Sequence, residues 1–242
     1  MNNIDKLVHE IKRFCEENSN PQVVEKYSKY FREGYDAFGL SEGVVTNQKK
    51  FWLSKYADLG LTGFFDLGDK LIKTGRYEEA SFAIVFVESF AKQFNKETLS
   101  RIKNWYDDGV CNWAHSDFIC GTIIRSLVKG NIIENFDFDK WRESKSRWTR
   151  RAVPVSLLEF IRKGDNILPL LEFVRPMMMD NERVVHQGLG WFLRECWKKN
   201  PEPVEKLLYD FKDKSARLIF QYATEKMTKE QKERFRASKK KK

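Results

Sequence analysis

The chain has 242 residues, 41% of them hydrophobic and 14% aromatic, which is ample for a sizeable core. Thirteen glycines, six prolines and the aromatic content exclude collagen-like, mucin-like and largely disordered chains. The net charge is +9, yet the last fourteen residues alone carry +6, so the bulk of the chain is only weakly basic and its charge does not by itself mark a nucleic-acid binder. Mean hydropathy is −0.59, and no apolar run approaches the roughly 18 residues of a membrane-spanning helix. The first residues lack a cationic leader followed by an apolar stretch. These features read as a soluble, cytoplasmic protein without a membrane partner.

The dominant period is helical. Ile4, Leu7, Val8, Ile11, Phe14 and Cys15 fall on one stripe. Asn20-Pro21 reads as an N-cap and first-turn proline, opening a helix through Phe31. Glycines 34, 39 and 43 punctuate the next connection, and a helix follows over 44–56. Gly60 and Gly63 read as a further break before a short helix over 67–74. The apolar run 83–87 could be a strand, but it lies inside 78–94 without Gly or Pro, and strands seldom exceed about 10 residues. A long apolar helix is the expectation there. Further helices are expected over 98–107, 113–129, 148–162, 167–179, 182–199 (with Asn181 as a candidate cap), 204–211 and 215–222.

Helix pairs at this spacing predict an all-α stack with repeats of roughly 35–45 residues, the range of HEAT-like α-solenoids. The expected division is one repeat domain over 1–228 and a basic tail over 229–242. Stacked helix pairs build a concave face able to follow an extended partner.

Cys15, Cys111, Cys120 and Cys196 are scattered with no C-x-x-C, and no secretory signal argues for disulfides. His115 and His186 are isolated, so no metal site is expected. No P-loop, dinucleotide-binding glycine motif or G-x-S-x-G elbow occurs, and no cofactor is expected.

Three patches could carry chemistry. Trp113 and Asp117 are four apart, hence on one helical face. Asp117 sits among Phe118, Ile119, Cys120 and Gly121, so its carboxylate is either paired with a neighbouring helix end or an Arg, or placed in a cleft beside an aromatic wall. The stretch 141–151 holds Arg142, Lys145, Arg147, Arg150 and Arg151 against the single Glu143, with Trp141 and Trp148 interleaved. Such a pattern suits a phosphate-facing surface, and Arg150-Arg151 at a helix start suits an anion, although a charge run is more often a solvated face. In Gly188-Leu189-Gly190-Trp191, two glycines inside a helical pattern imply close packing or a close partner. Trp191 reads as core filling, and Arg194 and Glu195 as inter-helix ion pairs.

Four ordered stretches then resemble one family. They are Tyr30-Phe31-Arg32-Glu33-Gly34-Tyr35 with the following Asp36-Ala37-Phe38-Gly39-Leu40, Trp113-Ala114-His115-Ser116-Asp117, Ser146-Arg147-Trp148-Thr149-Arg150-Arg151-Ala152, and Gly190-Trp191-Phe192-Leu193-Arg194-Glu195. Together they resemble the DNA alkylation repair family, the AlkD-like HEAT-repeat alkylpurine DNA glycosylases, over nearly the whole chain.

The resemblance implies a right-handed superhelical stack of antiparallel helix pairs, with duplex DNA containing alkylated purines in its concave face. It implies a monofunctional glycosylase that releases N7-alkylguanine and N3-alkyladenine; a stack with one concave site is expected to be a monomer, nucleoid-associated in a bacterium or archaeon. By resemblance Trp113, Asp117 and Trp191 are its catalytic residues, and Arg151 grips phosphate, with Arg150, Trp148 and Arg147 beside it. Departures are the basic residues Lys49 and Lys50, placed later than the family's arginines, Asn112 before the motif, and Ala114-His115 in place of Asp-Ser. Paralogues of this fold bind branched DNA without catalysis, which is the alternative expectation.

Overall fold

The computed structural model describes residues 2–238, and among them there are helices and turns but no strand. They pack as two compact units that divide between Leu127 and Val128. In chain order the helices are α1 (Asn3–Glu17), α2 (Pro21–Ser28), α3 (Glu42–Lys55), α4 (Gly60–Lys73), α5 (Tyr77–Glu88), α6 (Lys96–Asp108), α7 (Trp113–Ile119), α8 (Arg125–Lys129), α9 (Asp139–Arg142), α10 (Arg147–Lys163), α11 (Ile167–Val174), α12 (Arg183–Lys199), α13 (Pro201–Phe211), α14 (Arg217–Ala223) and α15 (Lys229–Glu233). The solenoid-like, all-α stack expected from the sequence is the architecture found.

In the first unit α4 and α6 are joined by polar contacts. Trp105 on α6 donates its indole N–H to Asp69 on α4 at 2.7 Å across 36 residues. Arg101 reaches Asp66 at 2.9 Å across 35 residues. The ring of Trp105 lies where a β-carbon on Gly68 would be, so α4 and α6 can touch only through a glycine. The stripe of α1 buries Leu7, Ile11 and Cys15 completely. The run 83–87 is helical, as expected, because α5 is buried by neighbours on several sides and needs no polar face.

Several boundaries differ from expectation. Gly60, with φ +56°, opens α4, and Gly63 lies inside it. The break falls earlier, in the 3₁₀ turn Ala57–Leu59. The helix expected to reach 94 stops at Glu88, and a 3₁₀ turn follows at Ala91–Gln93. Asn181 does not cap α12, whose N-cap is Glu182 and makes no side-chain capping bond. The basic segment beginning at 229 starts as α15, with Phe235 only 1% exposed in the core. Ser238 donates its N–H to Asp213 at 2.6 Å. Lysines 239–242 lie outside the described residues.

In the second unit, α10 packs on α12 and α12 on α14. Arg151 donates to the Val184 carbonyl at 2.7 Å across 33 residues. Gln187 on α12 donates to the Tyr222 hydroxyl on α14 at 2.8 Å across 35 residues. The two glycines of α12 serve this packing. A β-carbon at Gly190 would stand 2.5 Å from Tyr222 Cβ and 2.7 Å from the Ile219 carbonyl, whereas one at Gly188 would stand 3.2 Å from Val155.

A difference in stability follows. Gly190→Ala should lose about 1–3 kcal/mol by overpacking, more than the ~1 kcal/mol that alanine gains in a helix interior. Gly188→Ala should stay near neutral. Urea unfolding of both variants checks this, and a Gly190→Ala protein as stable as the parent contradicts the packing account.

Candidate active site

Trp113 and Asp117 stand on α7. The helix starts at Trp113 because Asn112 has extended backbone and its side chain accepts the His115 N–H at 2.9 Å. Helical spacing then sets Asp117 one turn beyond Trp113 on the same face. Beyond Asp117 the helix widens into a π turn at Cys120–Ile124, an irregularity concentrated at functional sites. Asp117 is half-buried. Its charge adds to the burial and the Cys120 thiol that raise the Tyr106 phenol well above its ordinary value.

The Trp113 indole is fixed from two directions. Its ring stacks on Phe31 at 5.4 Å between centroids and 21° between planes. Its N–H donates to the Tyr30 carbonyl at 3.0 Å. Even so, the residue is 38% exposed. Phe31 stacks in turn on Tyr35 at 4.3 Å, and Tyr77 meets both edge-on at 5.6 and 5.1 Å. Burial holds the Tyr35 and Tyr77 phenols above their ordinary range, so both stay neutral.

The loop that supplies these rings is tied by a carboxylate. Glu78, 5% exposed, accepts the backbone N–H groups of Phe38, Gly39 and Leu40 at 2.8, 2.7 and 3.2 Å. Gly39 has φ +80° and packs against the Asn20 carbonyl, where no β-carbon fits. Loop and α5 are thereby locked together.

His115 is buried within the same assembly. One ring nitrogen, Nδ1, stands 2.9 Å from the Asn112 amide nitrogen, and the other, Nε2, stands 2.9 Å from the Tyr77 carbonyl. Burial pushes its pKa down from 6.5 to about 4. The unfolded chain thus binds a proton that the folded chain refuses, and the stability this histidine contributes is lost as pH falls from 6.5 through about 4.

Next to Trp113 lies an exposed aromatic and basic surface. Tyr27 and Tyr30 are 43% and 58% exposed. Lys26 and Lys29 each hold their ammonium 5.3 Å from one of these rings. The alternation of Lys and Tyr over 26–30 was the signal available in the sequence.

The second-unit candidates separate by environment. Trp148 is 5% exposed and Trp141 is 2% exposed, so both rings belong to the core rather than to a phosphate-facing surface. Arg150 is occupied by Asp180 at 2.6 Å and the Ser144 carbonyl at 2.7 Å, where it fastens the turn before α10. Arg151 is 6% exposed and bonded to α12. Arg147 is exposed, 3.9 Å from Glu182. Trp191 is half-buried on α12, neither fully in the core nor free of it. Arg194 pairs with Glu195 at 3.1 Å and with Glu225 beyond α14, which matches the ion-pair reading in part. Among the described residues no cluster of three or more His, Cys, Asp or Glu could hold a metal ion. No helix there is long and apolar enough to cross a membrane.

Residues 11–227 match the family model described as DNA alkylation repair enzyme. A solved structure named as a predicted DNA alkylation repair enzyme from Enterococcus faecalis superposes with a TM-score of 0.72. It is 18% identical, and the match covers 88% of this chain and 98% of that one, a likeness of fold. No curated protein matches at a significant level.

Two substitutions near the site should move stability in opposite directions. Glu78→Gln leaves a buried backbone N–H without its acceptor and should cost about 1–3 kcal/mol. Ser116 is fully buried and its hydroxyl has no hydrogen-bond partner among the described residues. Ser116→Ala should therefore gain up to about 1 kcal/mol. Thermal and urea unfolding read both, and a destabilised Ser116→Ala protein would overturn the assignment of that hydroxyl.

Proposed function

This chain belongs to the DNA alkylation repair enzyme family, and on that premise we propose that it hydrolyses the N-glycosidic bond of N7-alkylguanine and N3-alkyladenine in duplex DNA. The observation that carries the proposal is the pairing on α7 of a partly exposed, rigidly held indole with a half-buried carboxylate one turn away.

Alkylation at these nitrogens makes the base cationic, so it leaves as a neutral molecule and needs no proton from a general acid. As the bond lengthens, positive charge passes to the sugar. Asp117 stabilises that charge and orients the attacking water, an electrostatic role that a carboxylate in a partly desolvated place performs well. Water adds to the anomeric carbon, the base departs with the bond's electron pair, and the proton released from water goes to solvent.

Trp113 offers its π face to the cationic nucleotide. Its plane, set by Phe31 and the Tyr30 carbonyl, costs no reorganisation when the substrate arrives. Lys26, Tyr27, Lys29 and Tyr30 extend this surface with groups suited to phosphates and to sugar or base faces. On the second unit, exposed Arg147 is the cation of the 147–151 run best able to meet a backbone phosphate. The resemblance gives half-buried Trp191 the role of second indole, whereas Arg151, 6% exposed and bonded to the Val184 carbonyl, ties α10 to α12 and leaves phosphate contact to Arg147. Arg150 and Trp148 act behind these, by holding the start of α10.

Replacing Asp117 with Asn preserves shape and removes charge. Single-turnover release of 7-methylguanine should fall by about 10²–10³, while duplex affinity stays within a fewfold of the parent. Release at the parental rate would remove Asp117 from the mechanism. Duplex binding by the parent with no release from any alkylated substrate would favour a non-catalytic DNA-binding role.

A further inference from the structure

Among the side chains that the proposed chemistry leaves unused, His115 is bonded both to the Asn112 cap and to Tyr77. Its ring is 2% exposed, so it cannot touch DNA or water. Its hydrogen bonds specify one tautomer. A carbonyl can only accept, so Nε2 carries the proton and donates to Tyr77 O at 2.9 Å, with Ser81 Oγ at 3.0 Å beside it. Nδ1 is left with a lone pair, which accepts from the Asn112 amide at 2.9 Å.

This second bond does something the helix cap alone cannot. Asn112 Oδ1 accepts the N–H of residue 115 whatever the side chain there. Only an acceptor at the position of Nδ1 also holds the amide nitrogen and so fixes which way the Asn112 amide faces. Asn112 immediately precedes Trp113, so the cap geometry sets where the indole leaves the backbone. The ring of His115 acts by a second route. It stacks on Tyr77 at 4.6 Å and 25°. Tyr77 abuts Phe31 edge-on, and Phe31 carries Trp113.

We infer that His115 is a positioning residue, which in its neutral Nε2–H form sets the plane of Trp113 through the Asn112 cap and through the ring series Tyr77–Phe31. It rests on the reading of Trp113 as the indole that receives the cationic base. The four residues it joins come from α5, α7 and the loop after α2, so one buried imidazole ties together the elements that frame Trp113.

The test uses the full chain and two variants. His115→Phe keeps the ring and its stacking and removes both hydrogen bonds. His115→Gln keeps a donor for the Tyr77 carbonyl. The protein has seven tryptophans, hence seven indole N–H resonances, and Trp113→Phe identifies the one of interest. In His115→Phe the Trp113 indole resonance should shift while those of distant tryptophans stay, and single-turnover base release should fall about tenfold or more with duplex affinity nearly unchanged, as expected for a misplaced group. His115→Gln should recover part of both. If His115→Phe does not fold, His115→Gln read against the parent decides by the same two measurements. An unmoved indole resonance would overturn the inference, as would a loss confined to duplex affinity. If the parent protein releases no base, the proposed function fails while the resonance still decides whether His115 positions Trp113.

Discussion

The stack of Trp113 on Phe31, closed by the indole N–H on the Tyr30 carbonyl, is the constraint on which the first unit's site depends. Tyr30 and Phe31 follow α2, whereas Trp113 opens α7, so a contact across 83 residues has to be held without a covalent link. The fold holds it by anchoring both sides to α5. Glu78 takes three N–H groups of the loop that follows Tyr35. Tyr77, the residue before it, supports Phe31 by its ring edge and His115 by its carbonyl. On the proposed function, a rigid aromatic face beside a carboxylate suits a cationic leaving group, since electrostatic preorganisation is effective where the groups do not move when charge develops.

The second unit uses the device that joins α4 and α6 in the first, a glycine at a close helix approach. Its helices α10, α12 and α14 approach closely, and glycine at 190 permits it by letting α12 meet the backbone of α14. Arg150 and Arg151 spend their donors on Asp180 and on the Val184 carbonyl, securing the start of α10 against the segment leading into α12. Their charge therefore serves packing first. Exposed Arg147 is the member of that run turned to solvent.

Much of the fold was legible because burial imposes a 3.6-residue stripe on helices such as α1. Trp113 and Asp117 were legible for the same reason, as two residues four apart. What escaped was set by contacts between distant segments. The π turn after Asp117 has no local signature in Cys120–Ile124. His115 looked isolated because its partners are a side chain three residues back and a carbonyl 38 residues away. The basic run at 141–151 misled because charged and aromatic residues alternate there across a helix surface. Trp141 and Trp148 point into the core, and only some of the intervening cations reach solvent. Gly60 and Gly63 read as a break, yet glycine tolerates helix when neighbours crowd it, as Leu59 does at Gly63.

The central claim is that this site recognises and releases a base because the base is positively charged. The direct measurement compares single-turnover release of 7-methylguanine with that of hypoxanthine, a neutral purine lesion, from duplexes of otherwise identical sequence. The charge-based account predicts release of 7-methylguanine and none of hypoxanthine beyond the uncatalysed rate. Comparable release of both would contradict it, because a neutral base departs only with the help of an acid that Trp113 and Asp117 do not provide.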